Sequence, residues 1–243
     1  TQRMGSPFRI TISCSDSNGI SKAVKRAFRL ATELESELSD YQPSSDLSQV
    51  NRLAGTGQFF HIREAFRAIL KESLLAKNLS NGALNVFAGK QVGIWRQARI
   101  RQEMPDLAAL QQIAHKIQGN CLEFSAGSTQ VRLLDAACQL DLGSLGKGFV
   151  AQRVLNELKH MGFPYALVDA GGKIVMTSQG PTDQPWQVGI EMPASKTLLP
   201  EIFSLKQVAM ATSGKTYQSI RLGDLTYSHV IDPRTGMALT HAR

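Results

Sequence analysis

The stretch at residues 148–177, GFVAQRVLNELKHMGFPYALVDAGGKIVMT, changes its period half-way. Up to Met161 the apolar residues Val150, Val154, Leu155, Leu158 and Met161 share one face at three- and four-residue steps, which predicts an amphipathic helix over 148–161. Beyond Gly162 two short runs, Tyr165–Val168 and Lys173–Thr177, flank a glycine pair and read as strands. Upstream the helical period recurs. Ile20–Leu38 carries Val24, Ala27, Phe28, Ala31, Leu34 and Leu38, and Glu64–Leu79 carries Phe66, Ile69, Leu70, Leu74 and Leu79, with Asn81-Gly82 as its stop. Pro105–Ile117 reads as a further helix with Pro105 in its first turn. Phe8–Cys14 alternates apolar and polar residues as a half-buried strand does, and Gln130–Leu134 and Gln139–Leu142 read as short strands. Downstream, Trp186–Ile190, Ile202–Val208 and Leu225–Ile231 are strand-like and separated by glycine, proline and serine clusters. Helices are concentrated before residue 162 and strands after it. The expectation is an α+β fold, one domain over residues 1–243 with at most two lobes, helices mainly in the first two-thirds and an antiparallel-rich sheet region in the second half.

The composition sets outer limits. Of 243 residues 42% are hydrophobic and 19% charged, a globular balance that excludes a disordered chain. No window approaches eighteen uninterrupted apolar residues, so no transmembrane helix is expected. The net charge is +7, but the charges are scattered without a run of one sign. That pattern fits a cationic solvated surface better than a nucleic-acid face, and no nucleic-acid partner is expected. Cys14, Cys121 and Cys138 lie at long spacings, with no CxxC pair, which argues against a cysteine zinc site. Their odd number argues against a disulfide framework, so buried thiols are expected. The opening TQRMGSPFRI lacks a basic segment followed by an apolar core, which fits either a cytoplasmic chain or one whose targeting segment has been removed.

Four segments carry chemistry. In Asp141-Leu-Gly-Ser-Leu-Gly-Lys147-Gly148 the glycines permit close backbone approach to a ligand, and helix N-terminal amides attract anions. Lys147 opposes the helix dipole there, a conflict that an anionic ligand would relieve. A plain strand-to-helix turn explains the same residues, and the segment is not a Walker A loop, since Asp141 stands where its first glycine belongs and Gly148 where Ser or Thr belongs. In Val168-Asp169-Ala-Gly-Gly172-Lys173, Asp169 either serves a site or bonds its own hairpin turn. In Ser228-His229-Val-Ile-Asp232-Pro-Arg-Thr-Gly236, His229 and Asp232 flank a strand end, an arrangement suited to proton transfer or to a polar ligand, though a lone histidine is more often structural. In YQPSSDLSQVN, Tyr41 stands near Ser45, Ser48 and Asn51 and offers an aromatic face for a planar heterocycle. A helix junction capped by Ser45 or Asp46 is the alternative.

Taken together and in this order, Met4-Gly5-Ser6, YQPSSDLSQVN, NGALNV, LDLGSLGKGFVAQRV, LVDAGGKI, MATSG and SHVIDPRTG resemble the ApbE family of FAD:protein FMN transferases over nearly the whole chain. The resemblance implies that FAD is bound with a divalent cation, usually Mg²⁺. It implies that FMN is attached through a phosphoester to a Thr or Ser of a target protein, such as a subunit of a sodium-pumping NADH:quinone reductase or a related electron carrier, with release of AMP. Residue by residue, Met4, Tyr41, Ala83, Leu84, Asn85, Asp141, Lys147 and Ile231 match positions at the cofactor, and His229 and Asp232 are the catalytic candidates. Ser144 matches a position whose backbone carbonyl contributes to the metal site.

The sequence also departs from the family. Asn85 and Lys173 stand where the family usually has Asp and Glu, Gln152 where it often has Asp, and no Asp-x-x-x-Thr segment follows DPRTG. The expectation is a chain whose metal segment has been trimmed. The competing readings are an FAD-binding protein without catalysis and a metal-dependent FAD pyrophosphatase. By resemblance the location is periplasmic or membrane-anchored facing the periplasm, through a removed N-terminal lipid anchor.

Overall fold

The structure is a computed structural model and describes residues 2–14, 18–191, 198–212 and 219–240. In chain order its elements are β1 (Gln2–Arg3), β2 (Ser6–Ile12), α1 (Ile20–Leu38), α2 (Asp46–Arg52), β3 (Phe60–His61), α3 (Glu64–Leu79), α4 (Gly89–Arg101), α5 (Leu107–Gln118), β4 (Leu122–Phe124), β5 (Gln130–Leu133), α6 (Gly146–His160), β6 (Ala166–Ala170), β7 (Lys173–Met176), β8 (Trp186–Glu191), β9 (Leu198–Leu205), β10 (Ala209–Ala211), β11 (Ile220–Leu222), β12 (Leu225–Tyr227), β13 (Ile231–Asp232) and β14 (Met237–Ala238). The fold is α+β, with every strand pair of these sheets antiparallel.

The chain divides into two compact units, Thr1–Glu35 with Gly146–Ser213, and Ser36–Leu145 with Gly214–Arg243. The first unit holds a five-stranded sheet in the order β1-β2-β6-β7-β10 and the separate hairpin β8-β9. Its N-terminal strand is drawn into the late sheet, Phe8 opposite Ala170 and Ile12 opposite Ala166. Phe8 is buried and meets Phe28 of α1 edge-on at 6.1 Å. Arg26 of α1 binds Glu157 of α6 at 2.8 Å. α6 packs on β6 and β7 and buries Val150, Val154, Leu155 and Leu158 of the predicted face, whereas Met161 lies in the turn after the helix and is only half-buried. Gly172 N–H donates to Asp169 Oδ1 at 2.7 Å, so Asp169 closes its own hairpin turn.

The second unit holds α2 to α5, the sheet β3-β5-β4 and the hairpins β11-β12 and β13-β14, with α2 packed on β5 and α4 on α5. Ser45 caps α2 by accepting from Ser48 N–H at 3.0 Å. Asp106, not Pro105, opens α5, accepting from Ala109 N–H at 3.1 Å.

Three further expectations are corrected. Gln139–Leu142 is no strand beyond a single bridge of Gln139 to Ala88, because Gln139 and Leu140 spend their backbone groups on Gly89 and on the Asn51 side chain. Leu225–Ile231 is broken into β12 and β13, since Ser228 Oγ accepts from Val230 N–H at 3.1 Å and bends the chain between them. Cys121 and Cys138 are not buried thiols but a disulfide, with their Cα atoms 5.5 Å apart. Spacing did not reveal this, because the two ends meet only through the pairing of β4 with β5. The third cysteine, Cys14, is a free and exposed thiol.

Candidate functional site

The segment 139–141 is held on three sides before it reaches the glycine turn. Asn51 forms a reciprocal pair with Leu140, Nδ2 donating to its carbonyl at 2.8 Å and Oδ1 accepting from its N–H at 2.7 Å. Asp141 N–H donates to Val86 O at 2.7 Å, and Gly89 N–H to Gln139 O at 2.8 Å. A Cβ on Gly89 would lie 2.7 Å from that carbonyl, so only glycine permits the approach. The Asp141 carboxylate is thereby set at the mouth of the turn, where Oδ1 accepts from Gly143 N–H at 2.7 Å. Gly143 and Ser144 are exposed; Lys147 is half-buried in the first turn of α6.

Arg96 of α4 joins this carboxylate to the aromatic candidate. Its guanidinium lies 2.6 Å from Asp40 and 3.4 Å from Asp141, with its carbon 5.0 Å from the centre of the Tyr41 ring. Burial works against the Arg96 charge, but its hydrogen bond to Asp40 and the charges of Asp40 and Asp141 outweigh it and raise the pKa. Tyr41 itself is 66% exposed. A half-buried cation between two carboxylates thus lies over an exposed ring, an aromatic surface on which a flat heterocycle can stack.

A second cluster forms where the NGALN loop meets the turn after β13. A Cβ on Gly82 would fall 2.6 Å from Gln118 Oε1 and 3.8 Å from Arg234 Cγ. Gln118 Nε2 and the buried Gln91 Nε2 donate to Pro233 O at 3.5 and 3.3 Å. Asp232 engages both its oxygens with Arg234, accepting from Nε at 2.9 Å and from Nη2 at 2.8 Å. The Arg234 side-chain hydrogen bonds hold the Asp232 carboxyl below its ordinary range. Asn85 is buried, donating to Ile117 O at 3.0 Å and accepting from Phe87 N–H at 3.1 Å. A carboxylate in its place could accept but not donate. Ala83 is exposed, and Leu84 N–H binds Ser80 Oγ at 2.9 Å. Ile231 packs against the core cluster that contains Trp95 and Tyr227, and His229 is exposed. Met4, in the first unit, turns the chain between β1 and β2 with φ 52° and donates its N–H to Glu35 at 2.6 Å.

Both clusters of the second unit hang on α4, which sequence reasoning missed. Gln91 reaches Pro233, Trp95 reaches Gly236, and Arg96 reaches Asp40 and Asp141. Its only advance signal was an adjacent Trp and Arg in GKQVGIWRQ. Ser213 and Gly214 of the MATSG segment lie outside the described residues.

No group of three or more His, Cys, Asp or Glu placed to hold a metal ion occurs among the described residues. Asp141, the acid nearest Ser144 in sequence, already serves Gly143 and Arg96. Mg²⁺ takes near-octahedral oxygen coordination with one or two carboxylates. The described residues do not fit that ion by themselves.

The family model described as "ApbE family" matches residues 4–243. The chain belongs to the ApbE family. Among curated relatives it resembles proteins named FAD:protein FMN transferase from Treponema pallidum, at 29% identity over 88% of this chain and 63% of the relative. A second, from Vibrio cholerae, is 28% identical over 88% of this chain and 64% of the relative. The chain thus spans a little under two-thirds of the length of these relatives. Among solved structures it superposes on the ApbE protein of Thermotoga maritima with TM-score 0.84 at 19% identity, covering 98% of this chain and 76% of that one. It superposes on the flavin transferase ApbE of Vibrio cholerae with TM-score 0.78 at 24% identity, covering 99% of this chain and 77% of that one. These likenesses establish the ApbE fold, and the α+β expectation holds.

Proposed function

We propose that the protein binds FAD and transfers its FMN half to a Thr or Ser hydroxyl of a target protein. The hydroxyl oxygen forms a new bond to the flavin-side phosphorus, the pyrophosphate P–O bond breaks, and AMP leaves while the hydroxyl gives up its proton. The observation that carries this reading is the exposed Tyr41 ring fixed beside Asp141 at the glycine turn, in a chain of the ApbE family. Tyr41 stacks on a ring of FAD, and the turn amides with Lys147 hold the pyrophosphate, where helix N-terminal N–H groups and positive charge favour an anion. His229, exposed beside β13, takes the hydroxyl proton, and Asp232 keeps Arg234 and the turn in place. Met4, Ala83, Leu84 and Ile231 complete the cofactor contacts by resemblance, and Asn85 braces the loop from behind.

Mg²⁺ and a carbonyl ligand from Ser144 belong to this reading on resemblance alone. The want of an acidic cluster among the described residues favours, as the second reading, FAD binding without transfer. We propose a periplasmic or membrane-anchored location, attached through a lipid anchor. The Cys121–Cys138 disulfide supports an oxidising compartment. The proposed targets are subunits of a sodium-pumping NADH:quinone reductase or a related electron carrier.

The test is incubation with FAD, Mg²⁺ and a target bearing the acceptor threonine, followed by in-gel flavin fluorescence and nucleotide analysis. A fluorescent target with AMP released is expected. Free FMN without a labelled target would turn the assignment to a pyrophosphatase. Bound but intact FAD would turn it to the second reading.

A further inference from the structure

Arg96 belongs to none of the segments that carry the family resemblance, yet it holds three groups at once. Its guanidinium touches Asp40 and Asp141 and covers the Tyr41 ring. Tyr41 follows the end of α1 in a loop, and two-thirds of its surface faces solvent. A loop tyrosine loses rotational freedom when it stacks on a ligand, and that cost falls if the ring is already held. A cation over one ring face holds it by attraction to the π cloud and leaves the opposite face for a planar partner. The same guanidinium neutralises two carboxylates that would otherwise repel each other and any anionic ligand at the neighbouring turn.

We propose that Arg96 is a positioning residue for FAD, acting through Tyr41 and Asp141, with guanidinium, phenol ring and cofactor heterocycle stacked in that order. The inference rests on the FAD reading above and deepens it by naming a residue outside the family motifs.

The test is calorimetric titration of FAD, riboflavin and AMP into the wild-type chain, Tyr41→Ala, Arg96→Ala, the double variant and Arg96→Lys, with thermal melts alongside. Arg96→Ala should weaken FAD about five- to tenfold, the range for a partly desolvated cation–π contact. It should weaken the fragment, riboflavin or AMP, that Tyr41→Ala weakens by clearly more than it weakens the other. The double variant should be little weaker than Tyr41→Ala alone, because contacting residues are not additive. Arg96→Lys keeps the charge without the planar face, so it should melt like wild type and still lose affinity for that fragment. Unchanged FAD affinity, equal losses on both fragments, or additive losses would overturn the inference while leaving FAD binding intact. Should Arg96→Ala fail to fold, wild-type affinity in Arg96→Lys would overturn it alone. A wild-type chain that does not bind FAD would refute the proposed function and this inference with it.

Discussion

The indole Nε1–H of Trp95 donates a 2.8 Å hydrogen bond to the carbonyl of Gly236. Trp95 is buried in α4, its ring 5.4 Å from that of Tyr227 and tilted 33° to it, and Gly236 closes the DPRTG turn 141 residues later. One side chain thus locks the C-terminal hairpin to the helix that also bears Arg96.

Gly236 has φ +75°, and a Cβ there would lie 2.9 Å from both the carbonyl oxygen and Cβ of Leu110. Gly236→Ala combines left-handed strain with overpacking and should cost about 2–4 kcal/mol of stability. Urea denaturation measures it; an unchanged midpoint would contradict the packing described.

Asp232 stabilises the fold through Arg234, whose hydrogen bonds depress its carboxyl pKa. A depressed carboxyl contributes stability above its unfolded pKa, roughly 3.9 for a free Asp. That contribution is lost as the pH falls through the lower native value. Asp232→Asn should therefore be destabilising at pH 7, and the gap to wild type should close as the pH drops below about 4. Thermal melts from pH 7 to pH 3 check this; a gap independent of pH would contradict it.

Lys147 lies in the first turn of α6, where the helix dipole disfavours a cation unless an anion is bound. Lys147→Ala should weaken FAD and AMP about tenfold, the scale of a charge-assisted hydrogen bond, and leave riboflavin unchanged. Equal losses for all three ligands would show that Lys147 does not act on the phosphates.

The Cys121–Cys138 bridge spans 17 residues and ends three residues before Asp141. Closing a loop of this size is worth about 3 kcal/mol. For a chain of this length that corresponds to about 6–12 °C in Tm. The Cys121→Ser/Cys138→Ser double variant should melt lower by that amount under non-reducing conditions. A variant that melts with wild type would argue that the bridge carries no stability.

Where chemistry is local, the sequence alone determined the outcome. α1 and α3 have the boundaries their apolar period predicts, Ile20–Leu38 and Glu64–Leu79. The stop of α3 is intrinsic, since Asn81 and Gly82 adopt positive φ, 48° and 77°, which these residue types tolerate. The Ser45 cap and the Asp169 turn were legible for the same reason, each bond reaching only three residues. Only the tertiary structure decided α4, the disulfide, the fate of Gln139–Leu142 and the platform around Tyr41. The buried residues of α4 are Gln91, Trp95 and Ala98, which form no apolar stripe, and Gly89 and Gly93 weaken helical propensity. It is helical because the partners of Gln91 and Trp95 come from Leu110, Pro233 and Gly236. Gln139 and Leu140 read as strand residues but are claimed by Asn51 and Gly89, and Cys121 meets Cys138 only once β4 pairs with β5. In each case the deciding partner lies too far along the chain for spacing or propensity to register it, and the contact exists only after the backbone has been folded back on itself.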